Sequence, residues 1–459
     1  MAHVQGDIHQ LGTGKISRLL WDYSLPAVVG MLVMSLYNVI DRIFIGQGVG
    51  PEAIAGLAIT FPVMNISAAL GVLIGAGASA RVSIMLGAKN KRGAEMVLGN
   101  AFVLILINAT LYLTFFGIFL NDILELFGAS PASLPYARDF MMYIMPGMLV
   151  MNIGFTLNNI MRASGYPVRA MMTMFLGAGV NLMLAPLFIF AFGWGIKGAA
   201  IATDIAMSIF AARVVWHFFQ RSTSLRFTHG CFRLRWEIIL SIVGIGTAPS
   251  LVNIASCLIN VIINKSLYHY GGDSAVAAAG IFVTFTSLMT MVVVGICQGM
   301  QPIIGYNYGA GLLGRLKRAY IQGVGAGSVI VTLGCLAGIT VPSAIARAFT
   351  SDPQLISVTD NALHISMVAF WMVGFQIVST TFFQSIGKVW KSIILSLARQ
   401  VIFLIPLLLV LPDHFGLDGV WLAFPTSDLL ATMVTLFMII WQFRQISRHL
   451  ASGAHLNIK

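Results

Sequence analysis

Apolar runs long enough to cross a bilayer recur about twelve times along this chain, at 21–46, 54–84, 94–120, 136–160, 167–191, 195–220, 236–268, 275–306, 318–346, 358–386, 390–412 and 416–446. A helix needs roughly 20 apolar residues to span the hydrocarbon core. Only 9% of the residues are charged and 58% are hydrophobic, where a soluble domain carries about a quarter charged residues. Lipid is therefore the solvent. Strands of a membrane barrel alternate polar and apolar over about 10 residues, and these runs do not. The expected fold is an all-α integral membrane protein of twelve transmembrane helices.

The connecting loops alternate in charge. The loop near Gly50 has no base, the stretch Asn121 to Tyr136 carries Asp122 and Glu125, and Leu411 to Gly419 carries Asp413 and Asp418. The intervening loops are basic, with Lys89, Lys91 and Arg92, then Arg162 and Arg169, Arg221, Arg226, Arg233 and Arg235, Arg315, Lys317 and Arg318, and Lys388 and Lys391. Cytoplasmic loops hold the excess of Lys and Arg, so both termini are expected in the cytoplasm. The formal charge of +11 is a topology signal, and bases scattered over short loops do not suit nucleic acid. The polar first 15 residues, followed by an apolar run too long for a leader core, predict no cleaved signal. Cys231, Cys257, Cys297 and Cys335 lack CxxC spacing and read as small buried apolar residues, not metal ligands.

The two halves resemble each other at an offset of 221 to 223 residues: Pro26 and Pro249, Asn38 and Asn260, Gly87 and Gly309, Arg169 and Lys391, Gly195 and Gly416. An even number of spans per half makes the repeats parallel, about an axis along the membrane normal. The expected organisation is two pseudo-symmetric six-helix lobes, 1–220 and 237–459, joined by a cytoplasmic linker at 221–236. Transporters built this way hold substrate between the halves and alternate access by rocking.

A carboxylate inside a span costs about 2.5 to 3.5 kcal/mol on insertion scales, so each asks for a reason. Asp41, Asp204 and Asp428 are the candidates. Asp41 either marks the outer interface with Arg42 or, because Ile43-Phe-Ile45 continues the apolar run past it, forms a polar cluster with Tyr37 and Asn38 on one helix face. Asp204 and Asp428 serve a site or pair structurally. Asn152, Asn158 and Asn159 either line a cavity or tie helices together.

Several strings are more specific. They are Ser35-Leu-Tyr-Asn-Val-Ile-Asp-Arg-Ile-Phe-Ile-Gly46, Gly299-Met-Gln-Pro-Ile-Ile-Gly-Tyr-Asn-Tyr-Gly-Ala310, Arg162-Ala-Ser-Gly-Tyr-Pro167, Gly198-Ala-Ala-Ile-Ala-Thr203 and Gly419-Val-Trp-Leu-Ala-Phe-Pro-Thr-Ser-Asp428. With them the chain resembles the multidrug and toxic compound extrusion (MATE) family, in its bacterial DinF-like branch, over about residues 15–445. The resemblance implies a multi-pass antiporter of the bacterial inner membrane that exports cationic or amphipathic organic compounds in exchange for H⁺ or Na⁺. It puts Asp41 on the family's coupling carboxylate, Asn181 on the Asn of the fifth helix and Thr203 on the Thr of the sixth. The acid that follows the Asn by four residues is replaced by Ala185. Asp204, beside Thr203, is a candidate replacement. Losing one of two carboxylates favours the proton over Na⁺, while Asp41, Asn181 and Thr203 still offer oxygens to a sodium ion.

For a substrate cavity the sequence offers Met31, Met34 and Phe155 in the first half, with Asn152. In the second it offers Asn260, Phe282, Met289, Gln298, Gln301 and Asp428. Met repacks around varied ligands and aromatic faces attract cations. The alternative is an exporter or flippase of a lipid-linked or other endogenous metabolite, which should show several bases inside the spans to hold pyrophosphate. Nearly all bases read as lying at span ends. His217, His269, His364 and His414 are isolated, no ATP-binding motif appears, and no membrane enzyme is indicated. The expected protein is a monomer without cofactor, energised by an ion gradient.

Overall fold

The computed structural model describes residues 8–49, 51–129, 131 and 133–452, and within them all regular structure is helical. Lipid imposes this, because every backbone N–H and C=O must find its partner inside the segment. The first six spans are α1 (Ile16–Gly48), α2 (Pro51–Gly87), α3 (Lys91–Ile118), α4 (Leu134–Ala163), α5 (Pro167–Pro186, continued by a π-helical turn at Leu187–Ala191) and α6 (Gly195–Phe219). A run of 74 residues, Trp236–Gly309, follows. Unbroken it would measure roughly 110 Å at about 1.5 Å per residue. It breaks at Gly272, with φ 64° and ψ −160°, a conformation open to a residue without Cβ. The two pieces are α7 (236–271) and α8 (273–309). Then come α9 (Leu313–Thr340), α10 (Pro353–Ser366 and Phe370–Ser385, bent by 54°), α11 (Val389–Phe415) and α12 (Leu417–Ser452).

Among the described residues ten helices are long and apolar enough to span, eleven with the bent pair. One of them is the broken 74-residue run, which supplies two spans; twelve result, as the hydropathy predicts. The irregularities were not foreseen. Leu187–Ala191 in α5 and Ala398–Leu404 in α11 are π-helical, and each adjoins a proline, Pro186 and Pro406. Proline has no N–H for the carbonyl four residues back, and the ladder resets around it.

The chain divides into two compact units. The first holds Val29–Ser250 with the short helix Gln10–Thr13; the second holds Gly14–Val28 together with the described residues from Leu251 on. The divisions fall inside α1 and α7 rather than at the 221–236 loop. In the first unit α4 packs against α2, α3 and α6, and α5 against α6. Gly71 leaves room for Asn152, and Gly154 for Phe210; small residues let membrane helices approach this closely.

The loop after α6 is fastened to the first unit. Asn100 Nδ2 donates to the carbonyls of Cys231 at 3.2 Å and Arg233 at 3.0 Å, and Ser224 Oγ to that of Ser164 at 2.7 Å. The start of α7 continues this packing, for a Cβ on Gly77 would strike the Ile242 carbonyl and one on Gly246 the Leu73 carbonyl. The second unit repeats the arrangement with the start of α1. Gly295 faces Val28, Gly299 faces the Ser24 backbone, Ser24 Oγ donates to the Ile296 carbonyl at 3.2 Å, and Arg315 Nη2 donates to the Gly14 carbonyl at 2.6 Å.

Candidate functional site

Helical spacing and two close approaches fix what Asp41 faces. α1 meets α5 where Gly30 faces Met174 and where Gly48 faces Ile189 and Phe190. Residues 30, 37, 41 and 48 recur at helical spacing and share one face, so Tyr37 and Asp41 look toward α5. With about 1.5 Å of rise per residue in both helices, Asp41 lies level with about residue 183 of α5, within a turn of Asn181. Asn181 itself is two turns past Met174 on the same face.

The polar groups there are incompletely paired. Asn181 Nδ2 donates to Thr203 Oγ1 of α6 at 3.0 Å, and Thr203 donates to the Ala199 carbonyl at 3.0 Å. That leaves Asn181 Oδ1 buried without a partner, and Asp41 Oδ1 likewise. A buried acceptor without a donor costs about 1 to 3 kcal/mol. Two of them, one anionic, make a place for a proton or a hard cation. Oxygens of Asp41, Asn181 and Thr203 are the ones such an ion would meet. Ala185, one turn beyond Asn181, is fully buried and brings no charge.

The structure separates some residues from this cluster. Asn38 is exposed and donates to the Met34 carbonyl of its own helix at 2.7 Å, so it does not join Tyr37 and Asp41. Asp204 lies against α4, where a Cβ on Gly147 would fall on its carboxylate, and its Oδ1 is also unpaired. It sits one residue, about 100° of helix, from Thr203. Asn152 donates to Ser67 Oγ at 2.9 Å, and Asn158 to Thr173 Oγ1 at 2.9 Å; both tie helices together rather than line a cavity. Arg162, read above as a loop base, is buried and donates to Asn158 Oδ1 at 3.3 Å. Met31 and Met34 are half-buried on α1, and Phe155 packs on Phe210 at 5.3 Å.

In the second unit Phe282 is buried against Phe424 and Trp421, in the apolar core instead of a cavity wall. Met289 fills the space beside Gly334. Gln298 and Gln301 are half-buried on α8, and Asn260 is exposed on α7. Buried Asp428 forms an ion pair with the partly exposed Arg399 of α11 at 2.6 Å, and Gln376 of α10 donates to the Asp428 carbonyl at 2.6 Å. Arg399 escaped the sequence reading: it stands in the middle of a span, where the apolar residues around it mask one base.

With this geometry in view, a family model described as MatE matches residues 26–187 and again 249–410, once in each half. A protein named FAD transporter from Shewanella oneidensis is 29% identical over 434 residues, 92% of this chain and 94% of that protein. The multidrug export protein MepA of Staphylococcus aureus is 26% identical over 433 residues, 92% of this chain and 93% of that one. Among solved structures, a MATE transporter in a bent conformation superposes with a TM-score of 0.91 at 26% identity, covering 98% of this chain and 100% of that one. A MOP superfamily transporter from Pyrococcus furiosus gives 0.89 at 26% identity, over 96% and 98%.

Proposed function

The chain belongs to the MatE family, whose members are transporters and not enzymes, and on that premise we propose that it is a proton-coupled exporter of cationic or amphipathic organic compounds. The observation that carries the coupling is the buried, unpartnered Asp41 Oδ1 on the α5 face of α1. A proton entering from outside binds Asp41, supplies the missing donor and is released inside. Substrate moves outward in the opposite half-cycle. Each inward charge gains about 2.3 kcal/mol per 100 mV. A proton needs one carboxylate, whereas Na⁺ wants several oxygens, and Ala185 removes the usual second acid. Similarity to MepA supports the multidrug substrate class. The DinF-like branch, the monomer, the bacterial inner membrane and the cytoplasmic termini belong to the same reading.

A second reading, export of an endogenous metabolite, is supported by the likeness to the FAD transporter. Proteoliposomes separate the two. An organic cation dye and FAD are offered in turn, with pH and Na⁺ gradients imposed separately. Dye moved uphill by the pH gradient alone is the expected result. Movement of FAD without dye favours the second reading. Dependence on Na⁺ with indifference to pH overturns the proton.

A further inference from the structure

We propose that α4, α5 and α6 enclose, at the end of the first unit where α6 terminates, a binding site for a phosphate-bearing anion. The phosphate comes either as free phosphate or as the headgroup of an anionic phospholipid. The site is independent of the coupling cluster. A cavity of about 410 Å³ opens there, lined by Met161 of α4, Arg169, Met172 and Leu176 of α5, and Arg213 and His217 of α6. Its charged lining residues are two arginines, with no acid among those described. Arginine presents a rigid fork that matches phosphate oxygens.

His217 supplies the second observation. It is 1% exposed, and neither ring nitrogen has a hydrogen-bond partner. Buried polar groups are nearly always paired, and an exception asks for a missing partner. The imidazole is held edge-on to the Tyr166 ring at 4.6 Å, and the Arg169 guanidinium lies over the same ring at 4.9 Å. One aromatic ring thus holds both an imidazole and a cation, and both residues line the same cavity. A neutral imidazole has one N–H to give, and a phosphate oxygen accepts it.

The apolar part of the lining suits a lipid as the source. Met172 and Leu176 are exposed on the outer face of α5, at 56% and 40%, so acyl chains can lie along them while the phosphate reaches inward. Basic pockets between membrane helices at the cytoplasmic side hold anionic headgroups in this way.

The test uses the purified, delipidated full chain in detergent. Binding is followed by native mass spectrometry and by thermal unfolding. The probes are dioctanoyl phosphatidylglycerol, diacylglycerol of the same chain length and inorganic phosphate. Stabilisation by phosphatidylglycerol but not diacylglycerol is expected. If inorganic phosphate alone reproduces the shift and competes with the lipid, the anion is free phosphate; if it does not, the site reads a headgroup. Either result supports an anion site. Arg213→Gln, on the exposed surface, should weaken probe binding about tenfold, a loss of about 1.4 kcal/mol. Arg318→Gln in the second unit, with the same change in net charge, should not. His217→Phe should keep or raise the ligand-free unfolding temperature, because it removes two unpaired atoms, and yet lose the probe-induced shift. The proposal is overturned if diacylglycerol stabilises as well as phosphatidylglycerol and inorganic phosphate does nothing, or if Arg213→Gln binds like the wild type.

Discussion

Asp41 differs from most buried carboxylates in keeping one oxygen free of any donor while lying within a turn's height of a second such oxygen, on Asn181. Asp41→Asn retains the shape and removes the charge. Gradient-driven export should fall by more than about tenfold, with the unfolding temperature near that of the wild type; uphill transport at the wild-type rate would exclude this role. Ala185→Asp places a second carboxylate one turn from Asn181. Because Asp204 lies against Gly147 and not on the Asn181–Thr203 bond, the added acid should create or sharpen Na⁺ dependence, read from transport with and without a Na⁺ gradient. In the second unit, Arg399→Ala strands the buried Asp428. Breaking a buried pair costs about 3 to 5 kcal/mol, whereas apolar replacement of both partners is often neutral. Thermal unfolding should therefore rank the Arg399→Leu, Asp428→Leu double variant above Arg399→Ala. Asp41 stood out in the sequence because span acids are rare, whereas Asn181 and Thr203 came only from the family resemblance. Arg399 did not stand out, since its pairing with Asp428 joins two helices and leaves no local trace. Asn152 was left open between a cavity wall and a helix tie, and Phe282 was offered for a cavity, because apolar cores, ties and cavity walls draw on the same residue types; the structure bonds Asn152 to Ser67 and packs Phe282 on Trp421 and Phe424.

Helices were the most legible level, for hydropathy alone located twelve spans to within a few residues. What it missed were interruptions set by single residues: Gly272 between α7 and α8, the bend after Ser366, and the π-helical turns beside Pro186 and Pro406. None of these alters the mean hydropathy of its segment. Contacts between elements were likewise hidden, because a glycine reads the same whether it faces lipid or another backbone. Gly179 has open space around its missing Cβ, while Gly77 stands on the Ile242 carbonyl. Gly179→Ala should be neutral or stabilising by roughly 0.5 to 1 kcal/mol from helix propensity. Gly77→Val should force α2 from the start of α7 and lower the unfolding temperature. Equal effects of the two changes would contradict the close approach.

At the scale of the whole molecule, the loop charges predict orientation. In a background free of native cysteine, Asn121→Cys should react with an impermeant thiol reagent added outside intact cells, and Ser222→Cys only after the membrane is opened. Both positions are exposed, so burial cannot mimic the result, and the reverse pattern would invert the topology. The division of α1 between the two units has a different consequence, for synthesis. Ser24 bonds to Ile296, 272 residues further on. At about 5 to 20 residues per second, the ribosome takes roughly 14 to 55 s to make the partner. For that interval the opening turns of α1 exist without the unit they belong to, held by lipid and the insertion machinery. The first unit, meanwhile, is not complete until Ser250 has emerged. The earliest span made is thus among the last to be finished, and damage to α8 should strand the beginning of the chain as surely as it disrupts the end.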